Sequence, residues 1–206
     1  MDSSKVNERL QFFSQWLKNP RQTASVTPSS PELAAALVKE LPQDCHRIIE
    51  LGGGTGAITR TLVQLIQAPD LLVVELNTEL HRRLQADFPE SVVLREDAAC
   101  LPDAAERSGW LGGGPADAVV SGLGLLAMDR DSQRAILGAA FSCLAPTGRF
   151  IQFTYGPMSP VSGELLAELR LSARRGELVL RNVPPATVWV ITRSRATEIR
   201  PRTVRQ

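Results

Sequence analysis

The chain has 206 residues and a net charge of +1, with 22% of its residues charged and 43% hydrophobic. That length stays below the roughly 250 residues at which chains split, so one domain is expected. The balanced charge argues against a general affinity for nucleic acid. Cys45, Cys100 and Cys143 are odd in number, far apart and without a C-x-x-C pair, so they read as reduced thiols. His46 and His81 lack metal-ligand spacing, and no metal is expected. The N-terminus has no signal-type apolar stretch and no run is long enough to span a bilayer, which argues against secretion and against an integral membrane protein. Charge is nevertheless uneven: from Glu164 onward nine arginines face four glutamates, a basic part that suits either a solvated face or an anion-facing one.

In chain order, residues 6–18 predict an amphipathic helix. Val6, Leu10, Phe13 and Leu17 stack at i, i+4, i+7 and i+11, Phe12 and Trp16 widen the stripe, and Lys5, Arg9, Lys18 and Arg21 flank it. Such a stripe docks on a core or lies in a membrane interface with its bases on anionic headgroups, and the residues alone leave both open. A proline-rich stretch then leads to a helix at 32–41, with Ser30 or Ser29 as N-cap and Pro31 at N1. Strands at 47–51, 71–76, 92–95, 118–121 and 149–155 alternate with helices at 57–67, 78–87 and 131–144, and a short helix is expected before Gly114. Near-continuous apolar strands between amphipathic helices imply an α/β fold, a doubly wound parallel sheet covered on both faces. A helix at 164–174 and strand-like runs at 177–182 and 187–192, separated by Val183-Pro184-Pro185-Ala186, complete it with an antiparallel edge.

The most informative stretch is Ile48-Ile49-Glu50-Leu51-Gly52-Gly53-Gly54-Thr55-Gly56. An apolar run ending in an acid and then glycines is how a buried strand enters a nucleotide-binding turn. Without Cβ atoms the backbone can take left-handed angles and lie against a ligand. A helix starting near Thr55 would aim its free N–H groups at that ligand. Gly52, Gly54 and Ala57 satisfy the dinucleotide pattern G-x-G-x-x-G/A, with Glu75 at a suitable distance for ribose hydroxyls. Read as E-x-G-x-G-x-G, the same stretch resembles class I S-adenosylmethionine methyltransferases. Three features favour this second reading: about forty residues precede the first strand, Glu75 ends the next apolar run, and Asp97 follows the third. The resemblance implies a Rossmann-like sheet, S-adenosylmethionine as cofactor and S-adenosylhomocysteine as product. It places Glu50 near the methionine amine, Glu75 on the ribose and Asp97 by the adenine. Ser29, Ser30, Gly52, Gly54, Thr55, Gly56, Leu76 and Ala98 complete the expected cofactor-binding set.

Further motifs narrow the resemblance. Phe12-Phe13-x-x-Trp16, Ser25-Val26-Thr27-Pro28-Ser29-Ser30, Ser121-Gly122-Leu123, Thr154-Tyr155-Gly156-Pro157-Met158-Ser159-Pro160 and Arg181-Asn182-Val183-Pro184-Pro185-Ala186-Thr187-Val188-Trp189 span most of the chain. Together they resemble the bacterial phospholipid N-methyltransferases of the soluble, peripheral type. The family often has proline where this chain has Gly53 and Gly124. The resemblance implies methyl transfer to the headgroup amine of phosphatidylethanolamine and its mono- and dimethyl forms, towards phosphatidylcholine. It also implies a cytoplasmic protein held peripherally on the inner face of the bacterial inner membrane. Residues 1–45 would form a membrane-binding helix (Phe12, Phe13, Trp16, Leu17, Lys18) and a cofactor-covering segment, and residues 46–206 the methyltransferase domain. Tyr155 and Ser121, at the ends of the fifth and fourth strands, are the expected catalytic contacts, with an anionic membrane and a phospholipid substrate as partners. Arg174, Arg175 or Arg181 would take the lipid phosphate. An aminolipid with an ornithine headgroup is the alternative substrate. An rRNA adenine enzyme is a further alternative, but Ser121-Gly122-Leu123-Gly124 lacks the amide and the aromatic that hold a flipped base. Intact glycines and acids argue against a non-catalytic membrane module.

Overall fold

A computed structural model describes residues 29–67 and 70–194. The helix expected at 6–18, with Phe12, Phe13, Trp16, Leu17 and Lys18, and the motif residues 25–28 lie outside the described residues. The chain forms α1 (Pro31–Val38), β1 (Ile48–Leu51), α2 (Thr59–Leu62), β2 (Leu71–Val74), α3 (Thr78–Asp87), β3 (Val92–Leu94), α4 (Leu101–Arg107) and β4 (Ala116–Ser121). These are followed by α5 (Arg130–Cys143), β5 (Leu144–Tyr155), α6 (Gly163–Glu168), β6 (Leu171–Val179) and β7 (Ala186–Arg193). The strands make one seven-stranded sheet in the order β3-β2-β1-β4-β5-β7-β6. β1 to β5 run parallel, and β7 pairs antiparallel with both β5 and β6. This is the expected doubly wound α/β sheet with its antiparallel edge.

Alternate residues of the central strands enter two cores. Ile49, Leu51, Val119 and Phe150 pack with α4, α5 and α6 on one face. Ile48, Ala118, Val120 and Ile151 pack with Leu33, Ala36 and Leu37 of α1 and with Leu62 and Leu84 on the other. Helix α1 starts where its cap chemistry directs: the Ser30 side chain accepts from Leu33 N at 3.1 Å, with Pro31 in the first turn. Among the described residues no helix is long and apolar enough to cross a membrane.

Three expected elements differ most. The helix expected at 57–67 is regular only from Thr59 to Leu62, because i→i+3 bonds such as Thr61 N to Ile58 O (2.9 Å) and Leu65 N to Leu62 O (2.9 Å) tighten it. Its regular part starts four residues after Thr55, so the loop rather than a helix end shapes the site. The helix expected at 164–174 stops at Glu168; Arg170 adopts φ 54°, and the chain enters β6 at Leu171. Helix formers (Leu, Ala, Arg) fill this stretch, yet pairing of Leu171 with Arg193 and of Ala173 with Ile191 outweighs propensity. The strand expected at 177–182 is therefore the end of β6 plus a turn.

Candidate active site

The parallel strands β1, β2 and β4 end side by side, with Leu51 registered to Val74 and to Ser121. Beyond β1 the chain turns through Gly52, Gly53 and Gly54. Gly54 has φ 55°, and a Cβ placed there would meet nothing closer than Gly52 O at 3.8 Å. The backbone is therefore bare on an open side, which a close-fitting ligand needs. Gly53 is packed differently: a Cβ there would lie 2.6 Å from Val73 Cγ1 and 2.8 Å from Leu84 Cδ1. The proline common in the resembling family has no room at this position. Behind the loop, Gly122 lets β4's exit press against it, since a Cβ would stand 2.9 Å from Gly52 O.

Two carboxylates flank the glycine loop. Glu50 lies within β1 and is fully buried, and neither of its oxygens has a hydrogen-bond partner among the described residues. Burial is the main cause that pushes its carboxyl up to about 8. The hydroxyl and amide of Thr59, facing it beyond ideal hydrogen-bond geometry, hold it down in part, and the nearby Glu75 raises it further. A fully buried acid with so little hydrogen bonding is costly to keep charged, and a cationic group beside it would offset that cost. Glu75 follows β2, is 8% exposed, and is fixed by two amides: Gly54 N donates to Oε2 at 2.9 Å and Asn77 N to Oε1 at 2.8 Å. One acid thus ties the glycine loop to the end of β2 and keeps further lone pairs for hydroxyl donors. Leu76 beside it is 65% exposed, an apolar face at the rim of the loop. Asp97 is exposed and caps the 3₁₀ turn Ala98–Cys100, accepting from Ala99 N at 2.9 Å, while Ala98 is buried. The structure thus brings Glu50, Glu75, Leu76 and the glycine loop together, with Asp97 and Ala98 after the neighbouring β3. Thr55 lies in the same loop and is half-buried. A ligand with an ammonium, vicinal hydroxyls and a flat apolar ring system fits this set of groups. Among the described residues no cluster of His, Cys, Asp and Glu is placed to hold a metal.

The second part of the site lies past β4 and β5. Ser121 is fully buried, and its hydroxyl accepts from Leu123 N at 3.3 Å. Tyr155 closes β5 and is half-buried, its ring edge-on to Phe153 with centroids 5.5 Å apart. Burial raises its phenol to about 12, so it stays protonated at any physiological pH.

Two further residues escaped the sequence reading. Gln152, registered to Ser121, donates from Nε2 to Leu123 O (2.7 Å) and Phe153 O (2.8 Å), which fixes the amide and the loop after β4. A lone amide within the apolar run 150–153 was the signal. Asn182 is 2% exposed; its Oδ1 accepts from Ser30 N at 3.1 Å and its Nδ2 donates to Pro184 O at 2.7 Å. It joins residues 152 positions apart and brings Ser30 to the turn that meets Tyr155, since Pro185 O accepts from Gly156 N at 3.1 Å. Ser29 precedes this junction and is half-buried.

No protein-family model matches the chain. It is 32% identical over 152 residues to an ornithine lipid N-methyltransferase of Singulisphaera acidiphila, covering 71% of this chain and 77% of that one. Among solved structures, the N-methyltransferase NodS of Bradyrhizobium japonicum with S-adenosylhomocysteine superposes with a TM-score of 0.60 at 14% identity, over 91% of this chain and 99% of that one. The S-adenosylmethionine-bound amino pentose methyltransferase CalS10 of Micromonospora echinaspora gives 0.56 at 14% identity, over 77% and 88%. The solved structures establish the fold, and the sequence relative establishes the lineage. The chain belongs to the family of that lipid N-methyltransferase, and its fold is that of the class I methyltransferases.

Proposed function

We propose that the chain methylates the headgroup amine of an aminolipid at a membrane surface, with an ornithine lipid as the first substrate to test. The observation that carries this reading is the 32% identity to an ornithine lipid N-methyltransferase over most of both chains. Phosphatidylethanolamine is the second reading, favoured by the Tyr155-Gly156-Pro157-x-Ser159-Pro160 and Arg181-Asn182-x-Pro184-Pro185-Ala186 segments. Both headgroups present a primary amine near an anion, so one basic residue such as Arg181 suits either.

Glu50 would take the methionine ammonium of the cofactor, Glu75 the ribose hydroxyls, Leu76 a face of the adenine, and Asp97 with Ala98 its edge. Gly52, Gly54, Thr55 and Gly56 would supply the backbone cradle, and Ser29 and Ser30 the cover. When bound, S-adenosylmethionine supplies an electrophilic methyl group. The protein's own work is to orient a neutral amine and keep water away, and position dominates such a transfer. An alkylammonium with a pKa near 10.4 costs about 4 to 5 kcal/mol to deprotonate at pH 7. The phenol of Tyr155, protonated up to about 12, is suited to accept a hydrogen bond from the amine and to face the cationic products with its ring. Proton loss then falls to solvent. Ser121 acts through Leu123, holding the loop that Gln152 also grips.

Expression in bacterial hosts that make one aminolipid or the other, followed by mass spectrometry of the lipid extract, tests the reading. Successive methyl increments on the ornithine lipid support it, and increments on phosphatidylethanolamine alone select the second reading. Unmodified aminolipids in both hosts contradict both.

A further inference from the structure

The β5–β7 end of the sheet carries a surface that the cofactor site does not use. β6 and β5 both pair antiparallel with β7, so Val179 and Tyr155 both register to Ala186 and both strands finish at the site's end of the sheet. Residues 152–163 and 178–189 meet there. Gly156 N donates to Pro185 O at 3.1 Å, and Trp189 Nε1 donates to Thr154 Oγ1 at 3.1 Å. The two segments contain one charged residue, Arg181, in a chain that is 22% charged, and neither contains an acid. Met158 is 62% exposed, Leu180 70% and Leu178 43%; only Leu65 and Leu76 are comparable apolar exposures among the described residues. Arg181 is exposed and has no ion pair among the described residues, whereas Arg174 is paired with Glu40 and Lys39 with Glu177.

We propose that this end is a membrane-contact surface, in which Met158, Leu178 and Leu180 enter the headgroup–acyl boundary of a bilayer and Arg181 meets its anionic headgroups. The inference rests on the aminolipid reading for its biological sense but on the surface itself for its evidence. Exposed apolar side chains whose adjacent carboxylate, Glu177, is already paired with Lys39 suit an anionic interface, because free carboxylates would be repelled and would be costly to desolvate. The patch adjoins Tyr155, so contact would bring the site's mouth to the depth of the headgroup amine. Three apolar side chains and one arginine make a reversible contact, which an enzyme drawing a cofactor from water requires.

The test is sedimentation of the purified full chain with vesicles of phosphatidylcholine and phosphatidylglycerol. The Met158→Asp/Leu180→Asp double variant should lose partition by about tenfold or more. Leu65→Asp, an equally polar change at an exposed leucine on another part of the surface, should partition like the parent. Parent-like cofactor affinity in the double variant verifies its fold. Parent-like sedimentation of the double variant overturns the proposal. So does unchanged sedimentation with dissociation of a dimer in solution, which makes the patch a self-association surface. A chain that methylates no aminolipid, yet loses partition in the double variant, retains this surface and loses the substrate reading. Full turnover in detergent micelles with unmoved vesicle partition does the reverse.

Discussion

Where β1 and β2 end, the chain gathers two carboxylates around bare backbone; where β5 and β6 end and β7 begins, it gathers apolar side chains, prolines and a single arginine. The first region has a fully buried, poorly hydrogen-bonded acid and a second acid fixed by two amides. The second has a neutral phenol and two segments, 152–163 and 178–189, without acids. On the proposed reading, one end takes a small cationic, hydroxylated molecule from water, and the other meets a molecule that arrives from an apolar phase. Changes at the first end should therefore move cofactor affinity or apo stability and leave the amine step alone, and changes at the second should do the opposite.

The largest effect is expected from Glu50. Its folded carboxyl titrates near 8 rather than near 4.5, so the folded state binds more protons than the unfolded chain between those values. Stability of the cofactor-free protein must therefore fall as pH rises through that window, by up to roughly 1.4 kcal/mol per pH unit. Glu50→Gln removes the titration. Thermal unfolding from pH 5 to pH 8 should show the parent losing stability relative to the variant, and parallel profiles would break the assignment. Next is Glu75→Ala, which removes both the ribose acceptor and the partner of Gly54 N. Calorimetry should show cofactor affinity weakened by about 1.5 to 3 kcal/mol; an unchanged constant would remove Glu75 from the site.

At the other end, Tyr155→Phe keeps the ring and deletes the hydroxyl. A protonated hydroxyl offers one hydrogen bond, so turnover on the lipid should fall by about tenfold with cofactor affinity unmoved. A turnover like the parent's would leave Tyr155 as packing against Phe153. The smallest effect sits on the loop between the two regions. Gly124 has φ −76° and ψ 54°, angles that proline adopts. Gly124→Pro should stabilise by about 0.4 to 1 kcal/mol by restricting the unfolded chain. A lowered unfolding midpoint would show that the loop moves through angles proline forbids.

The same contrast governs what the sequence revealed. The first region was legible because its signals are local: Glu50, the glycines, Glu75 and Asp97 each follow an apolar run at readable spacing. The second depends on long-range pairing. Residues 164–174 look helical, yet β7 draws Leu171 to Val179 into the sheet, with alternation of Leu171 and Ala173 against Ser172 and Arg174 as the only local sign. Asn182 could not be read as a link to Ser30, since nothing in either segment predicts a bond across 152 positions. The shortness of α2 was hidden too, because residues 57–67 favour a helix in composition and only their hydrogen bonding tightens it. Tyr155 was found by its place and by being the only tyrosine, but its burial, which decides between proton acceptor and hydrogen-bond partner, is a property of the fold.

The central claim is methyl transfer to an aminolipid amine, and the most direct measurement is label transfer by the purified chain. The protein is incubated with methyl-labelled S-adenosylmethionine and mixed micelles that contain ornithine lipid, phosphatidylethanolamine or, as the amine-free control, phosphatidylglycerol. The account predicts label in an aminolipid, ornithine lipid first, and none in phosphatidylglycerol. Label in no aminolipid, from a chain that binds the cofactor, would contradict it.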